Sequence, residues 1–164
     1  MSIYGVSFDL VGKQPIVLLK TAEGNRYLPI WIGHPEAAAI LMKLQGASAP
    51  RPLTHDLLVN ILNELEVEVL RVTVTELREN TFHASITVQQ GGAEIEIDSR
   101  SSDAIAIAVR AQAPIFAADE VIDESAIEFD GEENEEDVVD EFKRFLDRVS
   151  AEDFAEAEVE DEEE

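Results

Sequence analysis

Cysteine is absent from the 164 residues, which excludes disulfides and thiolate-ligated metals. Aromatic residues make up only 6% of the chain. No basic stripe interleaved with aromatics offers a platform for single-stranded nucleic acid. No apolar run approaches the roughly 20 residues needed to cross a bilayer, so no membrane association is expected. The start, Met1-Ser2-Ile3-Tyr4-Gly5, has neither a basic segment nor a long apolar one. No secretory signal is expected there, and the cytoplasm is the default compartment. Three signatures are also missing: GxxxxGK[ST], GxGxxG after a strand, and GxSxG. Nucleoside-triphosphate hydrolysis, dinucleotide chemistry and esterase chemistry therefore lack support.

Basic residues are scarce, 12 against 36 acidic, for a net charge of -24. That imbalance is local. Residues 1–118 hold 13 acidic and 9 basic side chains, a net of -4, whereas residues 119–164 hold 23 and 3, a net of -20. The acid is a property of the C-terminal part. It repels nucleic acid within roughly a Debye length of 8–10 Å and can serve as a solubiliser or an interaction arm.

Period-two alternation marks Ile3 to Leu10 as a strand, and Pro15 to Lys20 reads as a more fully apolar one. Arg26 to Ile32 is a third, and the short connections imply an antiparallel meander. Gly33-His34-Pro35-Glu36 opens a helix with Ala37, Ala38, Ile40, Leu41 and Leu44 on a wide apolar face. After a Pro-containing loop, Thr54 is the expected N-cap of a second helix carrying Leu57, Leu58, Ile61, Leu62 and Leu65. Glu66 to Leu77, Thr81 to Gln89 and Ala93 to Asp98 read as three strands, the last two joined by a tight Gly91-Gly92 turn. A helix of Ala, Ile and Val runs on to about Gln112, apolar on nearly every face and so expected to be buried. Pro114-Ile115-Phe116 reads as an edge strand or extended cover.

Three strands, two helices, three strands and one helix make an α+β pattern of antiparallel or mixed sheets with about three packed helices. The domain is expected over residues 1–124, followed by an acidic linker, most acidic from Glu128 to Glu135. Val138, Val139, Phe142, Phe145, Leu146 and Val149 then recur at helical spacing, marking a short amphipathic helix over about 137–149. Its stripe needs the domain, a second copy or a protein partner to dock on, and the remaining tail reads as disordered.

Candidate chemistry gathers at element ends. His34 and His55 begin helices, a place suited to a neutral base or ligand, although each can equally be a capping or surface group. His83 lies mid-strand with Thr81 and Ser85, on the side away from Phe82, Ala84 and Ile86, and reads as a solvent-face residue. Glu36, Asp56, Asp98 and Asp103 all lie where loops meet helices. If they converge, such carboxylates could hold Mg²⁺ or Mn²⁺ and activate water, though no HxxE or DxD spacing supports this. Arg51 and Arg100 suit phosphate, which a guanidinium grips with two parallel bonds, or they are halves of ion pairs with Asp56 or Asp103. The turn Asp98-Ser99-Arg100-Ser101-Ser102-Asp103 feeds the apolar helix, so Ser102 joins the arginines as an anion contact or serves as a cap.

These segments resemble a known family. Leu28-Pro29-Ile30-Trp31-Ile32-Gly33 with Glu36-Ala37 and Ile40, Arg51-Pro52-Leu53-Thr54-His55-Asp56-Leu57-Leu58, Asp98 through Arg110, and Ala113-Pro114-Ile115 together look like the bifunctional nuclease domain family. The resemblance covers roughly residues 2–124. It implies a compact α+β domain that hydrolyses phosphodiester bonds in DNA and RNA. One departure stands out: the family usually has a proline where this chain has Ser101. Its loss frees the turn and slightly weakens helix pre-organisation. The expected catalytic set is His34, Glu36, His55, Asp56, Asp98 and Asp103, with Arg51, Arg100 and Ser102 on the substrate. The rival is a non-catalytic regulatory or interaction module, which the balanced domain charge and acidic tail suit. A homo-oligomer is compatible with both.

Overall fold

The structure, a computed structural model, describes residues 1–8, 13–129 and 144. The amphipathic helix expected over 137–149 and the end of the first strand at Leu10 lie outside the described residues. Among the described residues no helix is long and apolar enough to cross a membrane.

Two four-stranded sheets and four helices form an α+β fold. The first three strands are β1 (Ser2–Phe8), β2 (Pro15–Lys20) and β3 (Arg26–Trp31). They pair as the antiparallel meander that their short connections require. Helices α1 (His34–Leu44) and α2 (Thr54–Glu64) follow. The second sheet contains β4 (Glu68–Arg78), β5 (Thr81–Gln90) and β6 (Ala93–Arg100), with α3 (Ser101–Ala111) leaving directly from β6. β7 (Ile115–Ala117) pairs parallel to β4, so the sheet order is β6-β5-β4-β7 with β6 and β7 at the edges. Gly91 and Gly92, at φ 57° and 86°, close the β5–β6 hairpin in a conformation that glycine adopts without strain.

The apolar period is realised in the packing. Phe82, Ala84, Ile86 and Val88 of β5 are buried, while His83 and Ser85 alternate toward solvent. Ala104 to Ala108 of α3 are each 2% exposed or less. They join Val17, Leu19, Leu28 and Ile30 of the first sheet to Val72, Val74 and Ile86 of the second in one core. Ile16, Leu18 and Tyr27, on the other side of the first sheet, form a second cluster with Phe129. Trp31 packs at its margin, as cover rather than an exposed platform.

Four details differ from the sequence expectation. Leu53, not Thr54, is the N-cap of α2, because the Asp56 carboxylate accepts the Leu53 N–H at 2.9 Å and starts the helix one residue earlier. Leu57, Leu58, Ile61 and Leu65 are 41–59% exposed rather than packed inward. An additional helix, α4 (Asp119–Ser125), buries Val121 and Ile122. Finally, β8 (Ile127–Glu128) pairs with the free edge of β3, Tyr27 opposite Ile127 and Arg26 opposite Glu128. Arg26 also meets Asp123 at 2.7 Å. The residues expected to open an acidic linker are thus held by the first sheet as far as Phe129.

Candidate functional site

Three helix entrances converge. Glu36 comes from the first turn of α1, His55 from that of α2, and Arg100 and Asp103 from the β6–α3 junction. His55 Nε2 lies 2.8 Å from Asp103 Oδ1. Arg100 Nε donates to Asp103 Oδ2 at 2.7 Å, and Arg100 Nη2 donates to Glu36 Oε1 at 3.0 Å. The result is one chain of contacts, His55–Asp103–Arg100–Glu36, joining residues up to 67 positions apart. It lies at a cleft of about 1000 Å³ whose lining includes Asp98, Ser99 and the apolar side chains of Met42, Leu53, Leu58, Ile86, Ile97 and Ile107.

Local structure explains each placement. Arg100 is the extended N-cap of α3, so its side chain lies beside Asp103, one helical turn on. The strand before it ends at the cleft because β6 pairs with β5 through to Arg100 opposite His83. Glu36 folds back over Gly33, where a Cβ would overlap the Glu36 carboxylate. Gly33 has an ordinary extended backbone with φ -73°, so its lack of a side chain, not its backbone freedom, is what the site uses. Gly33→Ala is therefore expected to leave the unfolding midpoint close to wild type, since only the flexible end of Glu36 must move. It should also detach Glu36 from Arg100. A crystal structure of the variant with that 3.0 Å contact intact would contradict the assignment.

Burial pushes the Asp103 carboxyl up, but hydrogen bonds from Arg100 and His55, together with their charges, outweigh it and hold the group below the usual carboxylate range. In turn, hydrogen bonding and charge from Asp103, then the same from Glu36, raise Arg100 above its ordinary value. An ionised Asp103 accepts the proton on His55 Nε2, which leaves Nδ1 with the lone pair of a general base.

Asp56 takes a different partner. Arg110 Nε donates to Asp56 Oδ1 at 2.6 Å, and its other nitrogens donate to the carbonyls of Ala106 at 2.9 Å and Ala39 at 3.1 Å. Asp56 is held below the usual carboxylate range first by the Leu53 N–H and then by Arg110. It lines a smaller depression of about 260 Å³ with Arg110 and Lys43 rather than the main cleft. The Asp56 partner weighed from sequence was Arg51. Arg110 takes that place because it lies seven residues after Asp103 on α3, two turns along the same face. Adjacent residues of α2 are thus clamped to one face of α3, His55 by Asp103 and Asp56 by Arg110.

The other expected residues are dispersed. His34 is exposed at the start of α1 and is not part of the cleft lining. Arg51 is exposed in the loop before α2, also away from the lining. Ser102 is 7% exposed, turned into the core beside Ser101. Among the described residues no three His, Asp or Glu side chains form a group able to hold a metal ion. Glu36 and Asp103 are bridged by a guanidinium instead, so the side chains as placed do not fit the Mg²⁺ or Mn²⁺ cage considered from sequence.

Both depressed carboxylates carry an acid dependence. A group whose folded value lies below its unfolded one stabilises the fold above the unfolded value, and that contribution is lost as pH falls through the folded value. Stability is expected to decline below roughly pH 4, the ordinary carboxylate range. Asp56→Asn should show a shallower acid decline than the parent in urea titrations at stepped pH. Parallel declines would remove Asp56 from the acid response.

An α+β domain with a histidine, a guanidinium and carboxylates linked at the mouth of a cleft is the class that fold and site define. The sequence profile of the bifunctional nuclease domain matches residues 17–130, and the chain belongs to that family. It is also similar to two proteins of Mycobacterium tuberculosis, the uncharacterized protein Rv1829 of strain H37Rv and the uncharacterized protein MT1877 of strain CDC 1551. Each is 39% identical over 159 residues, covering 93% of this chain and 95% of the relative.

Proposed function

We propose that this chain hydrolyses phosphodiester bonds in DNA and RNA at the Glu36–His55–Arg100–Asp103 cleft. The observation that carries the reading is the 2.8 Å pairing of His55 with an ionised carboxylate beside an exposed guanidinium. His55 Nδ1 takes the proton of an attacking water, and Asp103 holds the ring and stabilises the imidazolium that forms. As water attacks phosphorus, the P–O bond to the leaving oxygen breaks and that oxygen takes up a proton from solvent. Arg100 is 64% exposed although two carboxylates hold it. Its outer edge is aimed by Glu36 and Asp103 toward the charge that builds on the phosphoryl oxygens. Asp98 lines the same cleft and is assigned to substrate positioning. His34, Arg51, Asp56 and Ser102 lie outside this mechanism. No step is routed through a metal.

The test is cleavage of fluorescence-quenched single-stranded RNA and DNA by the purified full chain, with Mg²⁺, with Mn²⁺ and with chelator. Cleavage above a mock purification is expected in at least one condition, and none in any condition overturns the proposal.

A non-catalytic module has one observation in its favour. Glu36, Asp98 and Asp103 outnumber Arg100 around the cleft, a balance better suited to a neutral or cationic group than to a polyanion. Such a module would bind without cleaving.

The acidic C-terminal part bears on the rate. Residues 130–164 hold 18 acidic and 3 basic side chains, a net of -15. Ending the chain after residue 130 keeps β8 and Phe129. It is expected to raise cleavage most at low ionic strength, where the Debye length is longest. Equal rates with and without residues 131–164 at low salt would mean that the tail does not govern access.

A further inference from the structure

The apolar surface left open on α2 and β6 forms a second feature beside the cleft. Leu57, Leu58, Ile61 and Leu65 are 52, 41, 45 and 59% exposed. Val59, on the opposite side of the helix, packs against the core. A helix apolar on both sides is one that another surface covers. Ile95 and Ile97 of β6 extend the patch. They sit opposite Val88 and Ile86, which are 3 and 6% exposed, yet remain 46 and 43% exposed themselves on the edge strand. Leu58 and Ile97 line the same cleft, so the two parts are continuous.

We propose that a second copy of this chain covers this surface, α2 facing α2 across a two-fold axis with Ile95 and Ile97 at the margin. Six half-exposed large side chains amount to several hundred Å² per copy, the upper range of open patches on monomers. With a rim of smaller groups, that approaches the roughly 800 Å² per partner of a stable interface. None of the six is charged, so the patch offers nothing for a charged partner to read, and a two-fold contact needs only a surface complementary to itself. Residues 1–118 carry a net of only -4, so the two folded units are not driven apart. Extending the sheet edge to edge would instead align Glu94, Glu96 and Asp98 of the two copies when their isoleucines share a face, so the contact is through the face. The second copy walls in the cleft beside Leu58 and Ile97. The proposal stands independently of the hydrolytic reading.

Sedimentation equilibrium of the full chain over a wide concentration range tests it. The expected mass is twice the 18.1 kDa of one chain. Ile61→Lys should weaken association at least tenfold, and Ile95→Lys, on the other element, should do the same while keeping a native circular dichroism spectrum. Phe116→Lys, on the far edge of the same sheet where Phe116 is 46% exposed, should leave the mass unchanged. A mass of 18.1 kDa at every concentration overturns the proposal. So does a dimer of unchanged affinity in folded Ile61→Lys and Ile95→Lys, or one broken only by Phe116→Lys.

Discussion

His55→Ala is expected to lose about 10²- to 10⁴-fold of the cleavage rate, the usual contribution of a positioned general base. The ring is removed from the cleft mouth, while the α2 entrance keeps its Asp56–Leu53 and Asp56–Arg110 bonds, so the fold should hold. Asp103→Asn should bring a loss of similar size by a different route. An amide cannot offer the two acceptor oxygens that now hold His55 and Arg100. Full rates in either variant would exclude the pair from catalysis. Residual cleavage that survives both substitutions would mark a contaminating nuclease.

Asp56→Ala should destabilise the fold without such direct involvement in the chemistry. The Arg110 side chain is 5% exposed, and Asp56 is the acidic partner to which it is joined by a salt bridge. Removing one member of a buried pair costs about 3–5 kcal/mol because the other charge is left uncompensated. The Asp56 side chain is 36% exposed, so water offsets part of that loss and about 2–3 kcal/mol is expected. In a domain of this size that lowers the thermal midpoint on the order of 10 °C. Adding Arg110→Met should recover much of it, since an apolar replacement of the whole pair is often neutral. A single variant within 2 °C of the parent on the same scale would show that the pair contributes little.

Much of this site could be read from residue order. Helix entrances rich in His, Asp, Glu and Arg stand out on a chain whose elements are otherwise apolar, and three of them meet at Glu36, His55 and Asp103. The burial of α3 follows from Ala104-Ile105-Ala106-Ile107-Ala108, which leaves it no polar face. Pairing was harder. Asp56 and Arg110 are 54 positions apart, and only the seven-residue spacing from Asp103 to Arg110 hints that one α3 face serves both residues of α2. Ser102 looked like an anion contact because hydroxyls crowd the junction. The direction in which α3 leaves β6 turns it inward instead. The apolar periodicity of α2 shows that a stripe exists but not which surface covers it, so Leu57 and Ile61 could be assigned to a face and not to a neighbour. α4 and β8 were hidden by their own acid: Asp119, Glu120, Asp123, Glu124 and Glu128 resemble the tail that follows. What separates them is backbone pairing with Arg26 and Tyr27, which side-chain composition does not encode.

A double-mutant cycle on the cleavage rate asks whether His55 and Asp103 act as one unit. Groups that work through each other lose activity together, so removing both costs about as much as removing either. The double variant His55→Ala/Asp103→Asn is expected to cleave single-stranded RNA within about threefold of the slower single variant. Rate losses that multiply across the two substitutions would contradict a shared site at this cleft.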